Sequence, residues 1–268
     1  MADRDPALPR QTPWLYRWFL RYSRKYAAKH FHAVRLSRAS AAIPAEGTSL
    51  VFVVNHPAWW DVITCMILSG RFPTYRHFAP MEVAMFEKYR FFARLGFFGI
   101  DPTARGAAIF LRTAKAIFTE PGGALWVTAQ GRFCDPRERP VELRPGVGGV
   151  AARLAAGHIV PVAVEYPFWD ERTPECLVRF GRPLSIADGP GWDARRWTTA
   201  IEEGLTETMD GLAAEAIRRD PAAFETLVKG RVGVGGVYDR WRQLRGWFTG
   251  RRVDLAHSSE DTAEAAGR

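Results

Sequence analysis

The chain has 268 residues, 47% hydrophobic and 25% charged, a composition typical of a globular protein with a substantial core. Its three cysteines are odd in number and widely spaced, which argues against a disulfide framework or a zinc site and favours a reducing cytoplasm. No run of 18 or more apolar residues occurs, and the acidic, proline-containing start lacks a signal-peptide core, so we expect neither a transmembrane helix nor a targeting peptide.

The net charge of +8 is concentrated at the two ends of the chain. Residues 1–40 hold nine Lys and Arg against two acids, and residues 229–252 hold seven against one. Both segments also contain aromatic residues at helical spacing, and aromatic faces bordered by basic side chains suit the headgroup region of an anionic bilayer. The alternative is that both stripes simply pack on the domain. Nucleic acid is not an expected partner, because no recognised binding motif accompanies the charge.

The first predicted element is an amphipathic helix near the start of the chain. Thr12 and Pro13 suit its N-cap and first turn. Its aromatic and apolar positions at helical spacing are Trp14, Leu15, Trp18, Phe19, Tyr22 and Tyr26. A second such stripe, near the other end of the chain, is formed by Val237, Trp241, Leu244 and Phe248.

Strands and helices alternate between these two ends. The predicted elements are, in order, strand 49–55, helix 58–69, a strand near 75–79, helix 81–95, a strand near 97–100, helix 105–119, strand 124–128, helix 145–157, strand 159–165, a strand or hairpin arm within 176–186, helix 193–217 and a shorter helix at about 221–229. This alternation predicts an α/β fold, with a mainly parallel central sheet flanked by helices in one domain.

The same patterns predict the organisation of the whole chain. We expect an N-terminal amphipathic basic helix in residues 1–40 and the α/β domain in residues 41–229. A Gly-rich connector and a basic aromatic helix follow in residues 230–252, and a disordered acidic tail in residues 253–268.

One strand end carries a histidine close to an acid. Residues 50–61 have the sequence LVFVVNHPAWWD, in which an apolar strand ends at His56 and a helix follows Pro57 with Asp61 in its first or second turn. A carboxylate there orients the imidazole and stabilises the imidazolium that forms when His56 takes a proton. The spacing also arises by chance, and a histidine at a strand end is often a structural hydrogen-bonding residue.

Other strand ends carry distinctive residues too. The strand at 124–128 leads into Ala-Gln-Gly-Arg at 129–132, and the strand near 97–100 ends shortly before Arg105. Because ligands in such sheets lie outside the carboxyl ends of the strands, these signals support a site at one edge that includes His56.

The order of these segments resembles the glycerolipid acyltransferase family, which includes the lysophosphatidic acid and glycerol-3-phosphate acyltransferases. The first family block, Asn-His-x4-Asp after an apolar strand, is matched in full by Asn55, His56 and Asp61. The resemblance covers roughly residues 45 to 167.

The remaining blocks match in part. The second, Gly-x-x-Phe/Ile-Ile-x-Arg, is matched in its apolar part by residues 96–101, with its arginine displaced to Arg105. The third, usually Pro-Glu-Gly-Thr-Arg, stands as Ala-Gln-Gly-Arg-Phe at 129–133. Arg-Pro-Gly at 144–146 is similar to the basic-x-Gly step that opens the next helix, and Val-Pro-x-x-Val is matched at 160–164.

The resemblance implies an acyltransferase in which His56 acts as general base on an acceptor hydroxyl and Asp61 orients it. The hydroxyl attacks the thioester of acyl-CoA or acyl carrier protein directly; no GxSxG element is present, and no metal or other cofactor is expected. The glycine of the third block, Gly131, is expected to bring a backbone N–H close to the developing oxyanion.

The resemblance also implies substrate-binding roles for Asn55, Arg105, Gln130, Gly131 and Arg132. Gln130 stands where the family has glutamate, which leaves open a lysophospholipid, a non-phosphorylated lipid alcohol or a glycolipid as acceptor. A non-catalytic lipid-binding protein and a thioesterase that uses water are the competing functions. We expect a peripheral protein on the cytoplasmic face of the membrane, with membrane lipids as partners.

Overall fold

A central mixed β-sheet organises the protein, in a computed structural model that describes residues 8–44, 47–119 and 121–230. Its described strands are Ala33–Ser37 (β1), Leu50–Val54 (β2), Arg76–Glu82 (β3), Phe97–Ile100 (β4), Gly123–Thr128 (β5), His158–Glu165 (β6), Glu175–Phe180 (β7), Leu184–Ser185 (β8) and Phe224–Lys229 (β9). The described helices are Pro13–His30 (α1), Asp61–Ser69 (α2), Val83–Lys88 (α3), Ala104–Thr119 (α4), Gly146–Ala151 (α5) and Ala194–Arg218 (α6).

Most neighbouring strands run parallel. The order across the sheet is β4-β3-β5-β2-β6-β7-β1-β9, with β8 paired to β6. Among the described strands, β7, β8 and β9 each make an antiparallel pair, and the five other pairs are parallel. The predicted α/β class with a mainly parallel sheet in a single domain is confirmed.

Helices cover both faces of the sheet, which explains why the central strands are continuously apolar. α1 and α2 pack on one face, whereas α4, α5 and α6 pack on the other. All five residues of β2 are buried, with Val51 and Val53 toward one helical layer and Phe52 toward the other. Strands buried on both faces have apolar side chains at consecutive positions rather than in alternation.

The chain changes direction between β2 and β5, at the middle of the sheet. From β2 it passes through α2 to β3, and from β5 it passes through α5 to β6 on the opposite side. Because parallel crossovers are right-handed, the two helices lie on opposite faces of the sheet. Adjacent strands whose connections leave in opposite directions open a crevice beyond their carboxyl ends, where ligands bind in such folds.

Two predictions at the far edge of the sheet are wrong. The helix predicted at about 221–229 is instead a short 3-10 turn, Pro221–Ala223, followed by strand β9. Residues 33–37, which we place within the N-terminal helical segment, form the fully buried strand β1. The two strands form as a pair. β9 covers the edge of β1 by antiparallel pairing, and an uncovered edge would leave the backbone groups of β1 unpaired.

Two predicted helices are shorter than expected. The helix predicted at 81–95 begins only at Val83, because β3 continues to Glu82 to pair with β4, and it is followed by a 3-10 turn at Arg90–Arg94. The helix predicted at 145–157 ends at Ala151, after which turns lead the chain back to β6.

The predicted connector from Gly230, the helix at 237–252 and the acidic tail lie outside the described residues, apart from Gly230 itself. Within the described ranges, no helix combines the length and the hydropathy that crossing a bilayer requires.

Candidate active site

The predicted site residues follow strands whose carboxyl ends share one edge of the sheet. β2 pairs in parallel with both β5 and β6, so residues that leave these three strands emerge side by side. His56 follows β2, Gln130 follows β5 and Tyr166 follows β6. The sheet thus gathers three segments that are more than 100 residues apart at their extremes.

His56 and Asp61 form a hydrogen-bonded pair across the turn between β2 and α2. His56 Nδ1 and Asp61 Oδ2 lie 2.6 Å apart. Because an ionised carboxylate only accepts hydrogen bonds, Nδ1 carries the proton and the lone pair of the ring lies on Nε2. The side chain of Asp61 is 1% exposed and that of His56 is 21% exposed. The potential base therefore meets solvent, while the acid that orients it is buried.

The buried carboxylate of Asp61 accepts further hydrogen bonds. Tyr166 donates its hydroxyl to Oδ1 at 2.7 Å, and the backbone N–H of Ala58 donates to Oδ2 at 3.2 Å. Since the single hydroxyl hydrogen of Tyr166 is engaged, the contact of 3.0 Å between Thr64 Oγ1 and the Tyr166 oxygen is donated by Thr64. Burial raises the pKa of the Tyr166 phenol well above its usual value, so it remains a donor at neutral pH.

The loop after β5 fixes the backbone of His56. The His56 N–H donates to Gln130 Oε1 at 2.9 Å, and the His56 carbonyl accepts from the Cys134 N–H at 2.9 Å. Gln130, which we predict to bind substrate, thus makes its observed contact with the segment that carries His56. That contact needs only an acceptor oxygen, which a glutamine supplies as well as a glutamate does.

Asn55 is also engaged within the protein. Its side chain is buried, its Nδ2 donates to the Val164 carbonyl at 3.1 Å and its Oδ1 accepts from the Val164 N–H at 2.8 Å. The amide thereby continues the hydrogen-bonding of β2 with β6 one residue beyond the end of β2. This pairing with β6 positions the next residue, His56, and a substrate contact of Asn55 stays a prediction.

Gly131 forms a tight turn, but its N–H does not face the site. The residue has φ +67° and donates its N–H to the Thr128 carbonyl at 3.2 Å, so the predicted oxyanion contact is not available from this group. This positive φ favours glycine, and a Cβ at this position would also displace the exposed side chain of Arg144, whose Nε would lie 2.1 Å away.

The two predicted arginines differ in their surroundings. Arg132 is exposed and forms a bidentate ion pair with Glu138. Arg105 is exposed in the first turn of α4, and its side chain makes no hydrogen bond or ion pair with another described residue. Since β4 is three strands away from β2, Arg105 follows a strand roughly 14 Å from the one that carries His56, at ~4.8 Å per strand. It is not brought into contact with the His56–Asp61 pair.

One exposed aromatic side chain contacts the His56 ring, and two more lie in the loops after β2 and β6. The Phe133 ring lies 4.5 Å from the His56 ring, between centroids, and Phe133 is 58% exposed. Trp59 and Phe168, which follow β2 and β6, are 55% and 62% exposed. Each of the three strands that meet at the site is thus followed within five residues by an exposed aromatic residue, of which Phe133 contacts the His56 ring.

Sequence reasoning missed Tyr166, Thr64 and Phe133. Tyr166 directly follows β6, so the expectation that strand ends carry the site was sufficient to select it. Thr64 lies on the predicted helix three positions after Asp61, a spacing that places two side chains on one face. Phe133 carries no comparable signal, because its contact with His56 depends on the path of the loop after β5.

Within the described ranges, no three His, Cys, Asp or Glu side chains come together as metal ligands. A scan against models of known protein families finds no match to this chain, and a search of curated proteins finds no relative. The chemistry of the site is therefore inferred from its geometry and from the order of the sequence blocks.

Proposed function

We propose that the protein is an O-acyltransferase that moves a fatty acyl group from acyl-CoA or acyl carrier protein to a hydroxyl of a lysophospholipid or related lipid acceptor. The observation that carries the proposal is the His56–Asp61 pair, with its 2.6 Å hydrogen bond and an Nε2 that has no hydrogen-bond partner among the described residues. The order of the four sequence blocks, which resembles the glycerolipid acyltransferases, supports the same reaction.

The chain's own residues account for the proton in this reaction. His56 Nε2 removes the hydroxyl proton as the acceptor oxygen attacks the thioester carbonyl carbon, and Asp61 stabilises the imidazolium. The carbon–sulfur bond then breaks, and the departing thiolate takes the proton from Nε2. Base catalysis by a positioned histidine contributes about 10²- to 10⁴-fold to such a step.

Thiol release tests the proposal. Purified protein is mixed with acyl-CoA and a panel of lipid alcohols, and the free thiol and the lipid product are measured together. The proposal requires thiol release that depends on the acceptor and an ester product in equal amount. Release with water alone indicates a thioesterase, and vesicle binding without release from either acyl-CoA or acyl carrier protein indicates a lipid-binding protein.

The Tyr166 hydroxyl gives the first mutational prediction. Tyr166→Phe removes a donor to a buried carboxylate, a hydrogen bond worth about 1.5–3 kcal/mol, so we expect kcat to fall by about 10- to 100-fold. KM should change little, because Tyr166 contacts Asp61 rather than a substrate.

A second tyrosine provides the matched control. The hydroxyl of Tyr75 is also buried but has no hydrogen-bond partner among the described residues, so Tyr75→Phe should keep kcat unchanged. Equal losses in the two variants would mean that Tyr166 acts only through packing.

We place the protein peripherally on the cytoplasmic face of the membrane, with α1 as a contact surface. Along one side of α1, Trp14, Trp18 and Tyr22 are 58%, 54% and 42% exposed, while Phe19 packs into the core. The same helix carries exposed basic side chains at Arg17, Arg21, Arg24 and Lys25. Exposed aromatics bordered by cations match the headgroup region of an anionic leaflet, and the unpaired cysteines fit a reducing compartment.

This aromatic surface extends toward the site. Tyr22 stacks on Tyr26, Tyr26 contacts Trp60, and Trp60 contacts the exposed Trp59, with ring centroids 5.4–5.6 Å apart. Trp59 lies in the same loop as His56. A membrane at α1 therefore brings lipid acceptors close to the proposed base.

Replacing Trp14 and Trp18 together with alanine should weaken binding to anionic vesicles at least about tenfold, since each loses a large exposed apolar side chain at the surface. High salt should weaken wild-type binding further by screening the basic residues. The measurement is co-sedimentation with vesicles that contain phosphatidylserine.

Ile217 serves as the control for that variant. It is 80% exposed on α6, which packs on the opposite face of the sheet, so Ile217→Ala should leave vesicle binding unchanged. Wild-type sedimentation by the double tryptophan variant would exclude α1 as the contact surface.

A further inference from the structure

Phe133 occupies the position next to the proposed base. Its ring lies 4.5 Å from that of His56, at 42° between planes, and the following residue, Cys134, donates its N–H to the His56 carbonyl. The backbone hydrogen bond fixes the start of the loop against His56, so the phenyl ring is held at the base. An acceptor hydroxyl that approaches Nε2 meets an apolar surface on this side.

Three of the four arginines between β5 and α5 form ion pairs with carboxylates. Arg132 forms a bidentate pair with Glu138, and Arg137 forms another with Asp135 through contacts of 2.9 and 2.7 Å. The third, Arg139, pairs with an aspartate of α6 and also donates to the carbonyls of Pro136 and Glu138 at 2.9 and 2.8 Å. Each of these three guanidinium groups thus already has a carboxylate partner.

Glu165 adds a negative charge at the same edge. It is the last residue of β6, next to Tyr166 in the chain, and burial raises its pKa to about 6 against the opposing influence of Arg139 and Arg137. It is therefore largely ionised at pH 7.5. A second anion near this edge would be repelled by Glu165, and it would share Arg137 and Arg139 with the carboxylates that already pair with them.

One guanidinium near Gly131 lacks a carboxylate. Arg144 is exposed and donates from Nη2 to the Gly131 carbonyl at 3.2 Å, with no ion pair to another described residue. Acyl-CoA and acyl carrier protein both carry phosphate, so Arg144 has a possible ligand on the acyl donor as well as on the acceptor. An Arg144 variant distinguishes donor binding from acceptor binding.

We propose that Phe133, with the charge-paired loop that follows it, selects an acceptor whose reacting hydroxyl has no phosphate group beside it, that is, an uncharged lipid alcohol. The inference rests on the proposed acyl transfer and narrows its substrate class. A phosphate dianion placed against Phe133 would lose hydration without gaining a free cation, which is costly. An uncharged glycerol or diol headgroup loses far less hydration free energy at the same position.

Matched acceptors test this selection. A monoacylglycerol and a long-chain vicinal diol are each compared with the corresponding monophosphate, at constant acyl-CoA, by thiol release and product mass. We expect kcat/KM to be at least about tenfold higher for the uncharged member of each pair. Phe133→Arg should reduce that ratio about tenfold or more by placing a cation beside His56, whereas Phe133→Leu should preserve it.

Taking the ratio within each variant cancels any effect of the new charge on His56 itself. Arg144→Gln should leave the ratio unchanged, because in our proposal this residue does not bind the acceptor. The inference would be overturned if the wild-type protein preferred the monophosphates. It would also be overturned if Arg144→Gln lost activity only toward the phosphorylated acceptors. Either result would leave the proposed acyl transfer intact. Absence of His56-dependent thiol release with all four acceptors would overturn both.

Discussion

Replacing His56 with alanine is expected to lower acceptor-dependent thiol release by about 10²- to 10⁴-fold, because the acceptor hydroxyl then loses its proton only to water. The change leaves Asp61 and its contacts with Tyr166 and Ala58 in place, so the fold should be retained. Steady-state thiol release and a thermal unfolding curve measure the two properties. We expect a lower kcat and a nearly unchanged KM, since the ring acts on the proton rather than on binding.

Added imidazole sharpens this experiment. Because the His56 side chain is 21% exposed, the space that it leaves is open to a small base, and imidazole should restore part of the activity of His56→Ala. The control is His158→Ala, at the amino end of β6 and hence at the opposite edge of the sheet. Wild-type turnover in His56→Ala would refute the proposed mechanism.

Asp61→Asn should reduce kcat by about 10³- to 10⁴-fold although it changes almost no volume. The carboxylate accepts from three donors, on His56, Tyr166 and Ala58. An amide has one oxygen and an NH₂ group that must face one of those donors. If the NH₂ faces Nδ1, the imidazole proton moves to Nε2 and the base is lost; if it faces Tyr166, that hydrogen bond is lost instead.

The same substitution should also lower the free energy of unfolding, by about 1–3 kcal/mol, because a buried donor is left without an acceptor. Chemical denaturation measures the free energy of unfolding separately from turnover. Asp188→Asn, an exposed aspartate in a 3-10 turn, is the matched control and should change neither quantity. Full activity in Asp61→Asn would exclude Asp61 as the residue that orients the base.

The parts of the fold that were predictable are those in which the local pattern and the tertiary role agree. β2 is predicted from its apolar run, and its burial on both faces follows from the α/β alternation. The His56–Asp61 pair was equally accessible, because a strand end and a helix start five residues apart have little freedom in how they meet.

The parts that were not predictable depend on partners distant in sequence. β9 looks helical by its local pattern after α6, yet it becomes a strand because the edge of β1 is available to it. Asn55, Gln130 and Gly131 were predicted to bind substrate from their place in the blocks. In the folded chain, the first two hold the segment that carries His56 and the third closes a turn, since their polar groups find partners on β6, on His56 and on Thr128.

The contacts of the catalytic pair differ greatly in their range along the chain. The base and its acid are five residues apart, but the supports of that pair reach from Asp61 to Tyr166 across 105 positions, from His56 to Gln130 across 74 and from Asn55 to Val164 across 109. The proposed base and its acid thus lie within a hexapeptide, whereas their alignment depends on residues on or after β5 and β6. A descendant of this chain that kept the hexapeptide but lost those three distant contacts would keep the sequence motif and, in our proposal, lose the activity.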